Sequence, residues 1–325
     1  MLQVSDLHRQ AENRLQSVSD NPKRLVLLHS AIALGSSLLL MFFSYLFSLG
    51  IADTGGLGGL GVRSILTTAQ SVLEFVVMVA LPFWQVGIFY VALQWVEGEQ
   101  SEFRSLFQGF RRFGSVLGFL FLRNGLFIAL ALPLFYISTA VFMMTPYATP
   151  VLELFAPILE QGATPEVLET LFTPELVDSA SQSLIPLFII FCLLYLIIAI
   201  PVFYRIRFAN FALMDGQSAG RSLLKSLFIT RKRSWQVFRL DLSFWWFYLL
   251  QALSVAVCYA DEILPAIGVA LPVSGVGVTL GCYALGCICQ CVLLWLWEGQ
   301  RLTAYALAYR SMEEENDPKI VNAQA

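Results

Sequence analysis

The sequence is poor in charge: Asp, Glu, Lys and Arg together make up 13% of its 325 residues, where a soluble domain carries about a quarter. Beside a hydrophobic content of 57% with 14% aromatics, that shortage excludes a water-solvated surface around the whole chain. Lipid must supply part of the solvent. Histidine is nearly missing, His8 and His29 being the only two, and neither stands in a nucleophile or metal constellation. Hydrolase chemistry has no support, no catalytic residue is nominated, and no metal or cofactor is expected. Cysteine is absent from the connecting loops, since Cys192, Cys258, Cys282, Cys287, Cys289 and Cys291 fall within or at the ends of apolar runs. A disulfide framework is not expected, and the cluster in the last run lacks ligand-spaced partners, so these thiols read as small packing residues.

What is there is a series of apolar runs, each near or above the roughly twenty residues an α-helix needs to cross a hydrocarbon core of about 30 Å. They cover residues 25–51, 65–96, 124–144, 184–204, 242–259 and 276–297. The expected fold is all-α: a polytopic membrane protein of six transmembrane helices built from helix pairs joined by cytoplasmic amphipathic elbows. Residues 1–24 and 299–325 read as cytoplasmic tails. The first run is too long for a cleavable signal peptide, so it reads as a retained helix.

Lysine and arginine orient these spans. Arg9, Arg14, Lys23 and Arg24 precede the first; Arg104, Arg111 and Arg112 lie between the second and third; Arg205, Arg207, Arg221, Lys225, Arg231, Lys232 and Arg233 lie between the fourth and fifth; Arg301, Arg310 and Lys319 follow the sixth. The opposite side has only Arg63, which places both termini in the cytoplasm. The outer loop 145–182 is acidic, with Glu153, Glu160, Glu166, Glu169, Glu175 and Asp178. Its Thr164-Pro165-Glu166 and Thr173-Pro174-Glu175 triplets are helix-start signals and predict short surface helices. The glycine-rich stretch from Gly55 to Gly61 has no Gly-Lys-Ser/Thr continuation and reads as a flexible outer turn.

The second, fourth and sixth spans end alike, in Glu97-Gly98, Asp215-Gly216 and Glu298-Gly299, each with glutamine shortly after. A polar residue at the interface followed by a glycine able to adopt a left-handed cap is a sensible way for a helix to leave the membrane. Three such corners predict duplication of a two-helix unit. After the first corner, Phe103, Leu106, Phe107 and Phe110 repeat at helical spacing with Arg104 and Arg111 between them, an amphipathic elbow suited to the membrane plane. Residues 220–228 repeat the theme. Anionic lipid headgroups are the partners expected at these basic elbows, with a protein partner or a homo-oligomer possible. The Arg231-Lys232-Arg233 cluster borders a span, so it does not point to nucleic acid.

A few polar residues lie inside the apolar runs or at their edges: Arg123 beside Asn124, Arg239 near Asp241, and Glu74. If the elbows continue to Leu122 and Phe238, both arginines snorkel to the headgroups; the alternative is that Arg239 and Asp241 form a polar site between helices. Gly277 and Gly281 predict a close helix contact.

Two stretches carry a family resemblance: Leu106-Phe107-Gln108-Gly109-Phe110-Arg111-Arg112-Phe113-Gly114, and Ala212-Leu213-Met214-Asp215 continuing to Leu240-Asp241-Leu242-Ser243-Phe244. They resemble the bacterial integral membrane proteins grouped as domain of unknown function 975, over about Phe89 to Phe247 apart from the outer loop. The resemblance implies the same topology and a bacterial cytoplasmic membrane, but no site residues, because the family has no established activity. The long acidic loop and the Arg-Lys-Arg turn depart from its pattern. The expected function is a non-enzymatic membrane-organising or partner-binding protein. The alternatives are a small-solute or lipid transporter or channel, and a lipid-modifying enzyme using Glu97, Asp215 and Glu298.

Overall fold

In the computed structural model the chain is described over residues 4–18, 22–52, 57–153, 156, 174–266 and 276–316. Among these residues there is no strand. The helices run α1 (Val4–Ser17), α2 (Pro22–Ala52), α3 (Leu57–Glu97), α4 (Gln108–Arg111), α5 (Phe113–Met143), α6 (Pro174–Ile206), α7 (Ala209–Met214), α8 (Ala219–Thr230), α9 (Ser234–Ser243), α10 (Trp245–Cys258), α11 (Ala260–Ala266) and α12 (Val276–Glu314). A 3-10 turn, Phe103–Phe107, leads into α4. Five helices are long and apolar enough to cross a membrane, or six when α9 and α10, bent by 60°, count as one broken span.

The chain divides into two compact units, Met1–Phe119 with Ile206–Ala325, and Leu120–Arg205. Within the second unit, Phe135 of α5 meets Phe191 of α6 edge to face with centroids 6.0 Å apart. Outward side chains such as Tyr136 (72% exposed) and Ile197 (68% exposed) are apolar. Such exposure is costly in water and natural in lipid.

In the first unit, α12 packs against α1, α2, α3 and α10. Two helix-to-elbow crossings there are close enough to require glycine. A Cβ on Gly87 would stand 1.9 Å from the Leu106 carbonyl oxygen, and one on Gly109 would stand 2.0 Å from that of Phe83. Reciprocal backbone contact therefore seats the elbow flat on α3. Leu106 is buried, whereas Phe103, Phe107 and Phe110 keep more than a third of their surface exposed.

Several local expectations are corrected. The glycine-rich stretch is not wholly a turn, because α3 starts at Leu57; residues 53–56 lie outside the described residues. Pro174 opens the long α6 rather than a short surface helix, and the Thr164 triplet falls outside the described residues. The first elbow ends by Arg112, so Arg123 lies inside the continuous helix α5 rather than before a span. Gly277 and Gly281 meet nothing within 4 Å among the described residues; the close contact is at Gly286, where a Cβ would fall 2.3 Å from Cys258 Sγ. Residues 4–17 form a helix whose Leu7 and Ala11 are buried, in place of a plain tail.

Candidate functional site

The first two corners are built as the glycine signal requires. Gly98 has φ +75° and Gly216 φ +104°. Glu99 N donates to Gln94 O at 2.9 Å, and Gln217 N donates to Ala212 O at 3.2 Å. These are the 6→1 bonds of a Schellman cap, which satisfy carbonyls that a helix end would leave open. Arg112 of the first elbow adds a further cap, donating from Nη1 to Leu213 O at 2.7 Å.

The third corner is a correction: Glu298 and Gly299 lie inside α12. The helix continues because Leu302, Tyr305, Ala306, Tyr309 and Met312 recur at helical spacing and are all buried, giving this segment an apolar stripe of its own. At 1.5 Å per residue the 39 residues of α12 extend about 58 Å. Roughly half of that length exceeds what a bilayer core of about 30 Å can hold.

Two polar networks line this extension. In the first, Arg310 Nη2 donates to Asp215 Oδ1 at 2.8 Å and also to Glu97, while its Nη1 donates to Glu313 Oε2 at 2.7 Å. Lys225 Nζ reaches Asp215 Oδ2 at 3.1 Å and pairs with Glu313. The Tyr309 hydroxyl donates to Asp215 Oδ2 at 3.1 Å, and its ring stacks on Phe211 at 5.9 Å. Two of the acidic corners, Glu97 and Asp215, thus converge on one guanidinium. Partial burial pushes the Asp215 carboxyl up, but Arg310 and Lys225 outweigh it and hold the pKa below the ordinary carboxylate value. Burial pulls Lys225 down, and its bonds to Glu313, Tyr309 and Asp215 more than reverse that, leaving the pKa raised.

The second network surrounds Asp241, which is 8% exposed. It accepts from Arg207 Nη2 at 3.2 Å, from the Tyr248 hydroxyl at 2.6 Å and from the Tyr305 hydroxyl. Arg301 Nη1 donates to Tyr248 at 3.2 Å, and its Nε and Nη2 grip Glu298 at 2.7 and 2.5 Å. The Arg301 guanidinium also lies 5.7 Å from the Tyr305 ring centre, a favourable cation–π position. Arg207 and Arg301 balance Asp241 and Glu298, so this set of four charges, with Asp241 buried and the other three half-buried, is neutral in sum.

The remaining candidates lie elsewhere. Arg239 is exposed and covers the Trp235 ring at 5.8 Å; its expected partner Asp241 is held by Arg207 instead, so those two do not form one polar site. On α5, Arg123 is half-buried and Asn124 exposed. Glu74 is exposed on α3 and accepts from Gln70 Nε2 at 2.8 Å. No group of three metal-ligating side chains occurs among the described residues. The sequence reading missed Arg301, Tyr305, Tyr309, Arg310 and Glu313, which it placed in a tail. The helical spacing from Leu302 to Met312 was the available signal.

At the start of α1's contact with the body, His8 Nε2 lies 2.7 Å from Ser243 Oγ, and its ring is 4.4 Å from that of Phe244 at the bend between α9 and α10. Burial lowers the His8 pKa. The fold and site together define a multi-pass α-helical membrane protein. Comparison with known protein families, with curated proteins and with solved structures gives no match.

Proposed function

We propose that the protein is a non-enzymatic organiser of a bacterial cytoplasmic membrane, with both termini in the cytoplasm, that holds anionic lipid at its basic elbows and presents the rigid end of α12 to a partner or a second copy. The resemblance to domain of unknown function 975 is proposed as common descent with that topology. The observation that carries the reading is a division of labour among charges. The corner acids are engaged by Arg310, Lys225 and Arg301, which leaves the enzyme alternative without a free acid at those corners. The Asp241 network is balanced without a solute, which favours a structural role over a transport site. By contrast, Arg104, Arg111, Arg221, Arg231 and Lys232 are exposed beside exposed aromatics including Phe228 and Trp235, each 62% exposed. Aromatic side chains interleaved with bases suit the headgroup layer.

The test is lipid enrichment around the purified protein in mixed nanodiscs. The wild type is expected to enrich phosphatidylglycerol over phosphatidylcholine. Replacing Arg104, Arg111, Arg231 and Lys232 by glutamine should abolish that enrichment while the protein stays folded. Unchanged enrichment in the variant sinks the reading.

A further inference from the structure

At the level where α2 begins, a cavity of about 360 Å³ opens between α1, the first turn of α2 and the middle of α12. Its lining is amphiphilic and carries one charge of each sign: Glu12 of α1 and Lys23 of α2, with Gln16 and Gln300 as uncharged hydrogen-bonding groups and Trp295 and Trp297 as aromatic walls. Glu12 and Lys23 are both exposed, and the ion pairs among the described residues involve neither of them. Along the same two helices the surface is apolar, with Leu27 of α2 and Val292 and Leu296 of α12 exposed, the last of them also lining the cavity.

A ligand matching this lining has a negative and a positive group, further polar atoms, and a greasy end that continues along the helices. Indole rings at a membrane boundary mark the headgroup layer. We infer that this cavity binds the headgroup of a zwitterionic aminophospholipid, its phosphate at Lys23, its ammonium at Glu12, and an acyl chain beside Leu27 and Leu296. A purely anionic headgroup fits less well, because Glu12 repels it. The inference rests on the membrane placement proposed above and not on the elbow contacts, which select the opposite lipid class. Occupancy pins α1 to α2 and α12 through one ligand.

Native mass spectrometry of the full chain, released from detergent with phosphatidylethanolamine or phosphatidylglycerol added, tests it. The wild type should retain one phosphatidylethanolamine in preference to phosphatidylglycerol. Lys23→Gln should weaken retention of both by about tenfold, the loss of one charge-assisted contact. Glu12→Gln should weaken only phosphatidylethanolamine, removing the preference. Both positions are exposed, so thermal unfolding should stay at the wild-type temperature. The elbow variant should leave the phosphatidylethanolamine adduct intact, which separates this site from the anionic-lipid reading. Wild-type retention of phosphatidylethanolamine by Glu12→Gln and Lys23→Gln, or a wild-type preference for phosphatidylglycerol, overturns it.

Discussion

Arg310, near the end of α12, closes on Asp215 at the second helix corner at 2.8 Å and on Glu97 at the first. One planar guanidinium therefore ties together the C-terminal ends of α3 and α7, with a third carboxylate, Glu313, on its other edge. A lysine cannot span three carboxylates with its compact ammonium.

Arg310→Ala is expected to destabilise the protein by roughly 1–3 kcal/mol, less than a fully buried pair because the site is partly open to solvent. Arg310→Lys should recover only part of the loss. Thermal unfolding in detergent checks both; a wild-type melting temperature for Arg310→Ala would contradict the clamp.

Asp241→Ala should cost about 2–4 kcal/mol, because it takes the carboxylate from the half-buried Arg207 and the acceptor from the Tyr248 and Tyr305 hydroxyls. Arg239→Ala and Glu74→Ala should stay within about 0.5 kcal/mol, as surface changes do. The same melting assay separates them, and equal effects at all three positions would mean that Asp241 is not the structural centre described.

Gly87→Ala and Gly109→Ala put a methyl group onto a carbonyl oxygen, and neither backbone can yield without unseating the elbow. A loss of about 3 kcal/mol or more is expected, beyond ordinary overpacking. Gly114→Ala, where nothing lies within 4 Å, should be neutral or stabilising by up to about 1 kcal/mol. Expression level and melting temperature report the contrast.

The docking of α1 should depend on pH through His8. Its pKa is lowered in the docked state, so the undocked form binds the proton more readily, and docking is favoured above the ordinary histidine value of 6.5 and weakened as pH falls below it. The hydrogen-exchange protection of residues 4–17, measured against the intrinsic rate at each pH, should fall from pH 7 to about pH 5, and His8→Gln should flatten that response. Asp215 has the lowered carboxylate pKa, so its contribution is present above the unfolded value of 3.8 and is lost as pH falls through the lower folded value. Lys225 acts at the alkaline end: its contribution is complete below 10.5 and is lost as pH rises through the raised folded value.

The long apolar runs made the helical membrane fold legible, because crossing lipid demands both length and hydropathy and leaves few alternatives. Gly98 and Gly216 were legible for a similar reason: a left-handed cap has few suitable residues. Glu298-Gly299 carries the same letters but sits inside α12, since the residues beyond it can bury a stripe and a lone glycine cannot stop a helix with that to gain. The ion networks were hidden for another reason. Arg310 and its partner Glu97 are 213 positions apart, and counting bases by loop sorts them by side of the membrane without saying which carboxylate each one meets. The break at Phe244 was equally hidden, because the apolar run continues straight through it.

The length of α12 has a mechanical consequence. A continuous rod of 39 residues cannot lean in the bilayer without carrying its far end along: pivoting by about ten degrees at the midpoint sweeps each tip sideways by roughly 5 Å. A shift of that size exceeds the reach of a hydrogen bond. Leaning at Val276, where α12 begins, and letting go at Glu97 and Asp215 are thus one event seen from opposite ends of the rod.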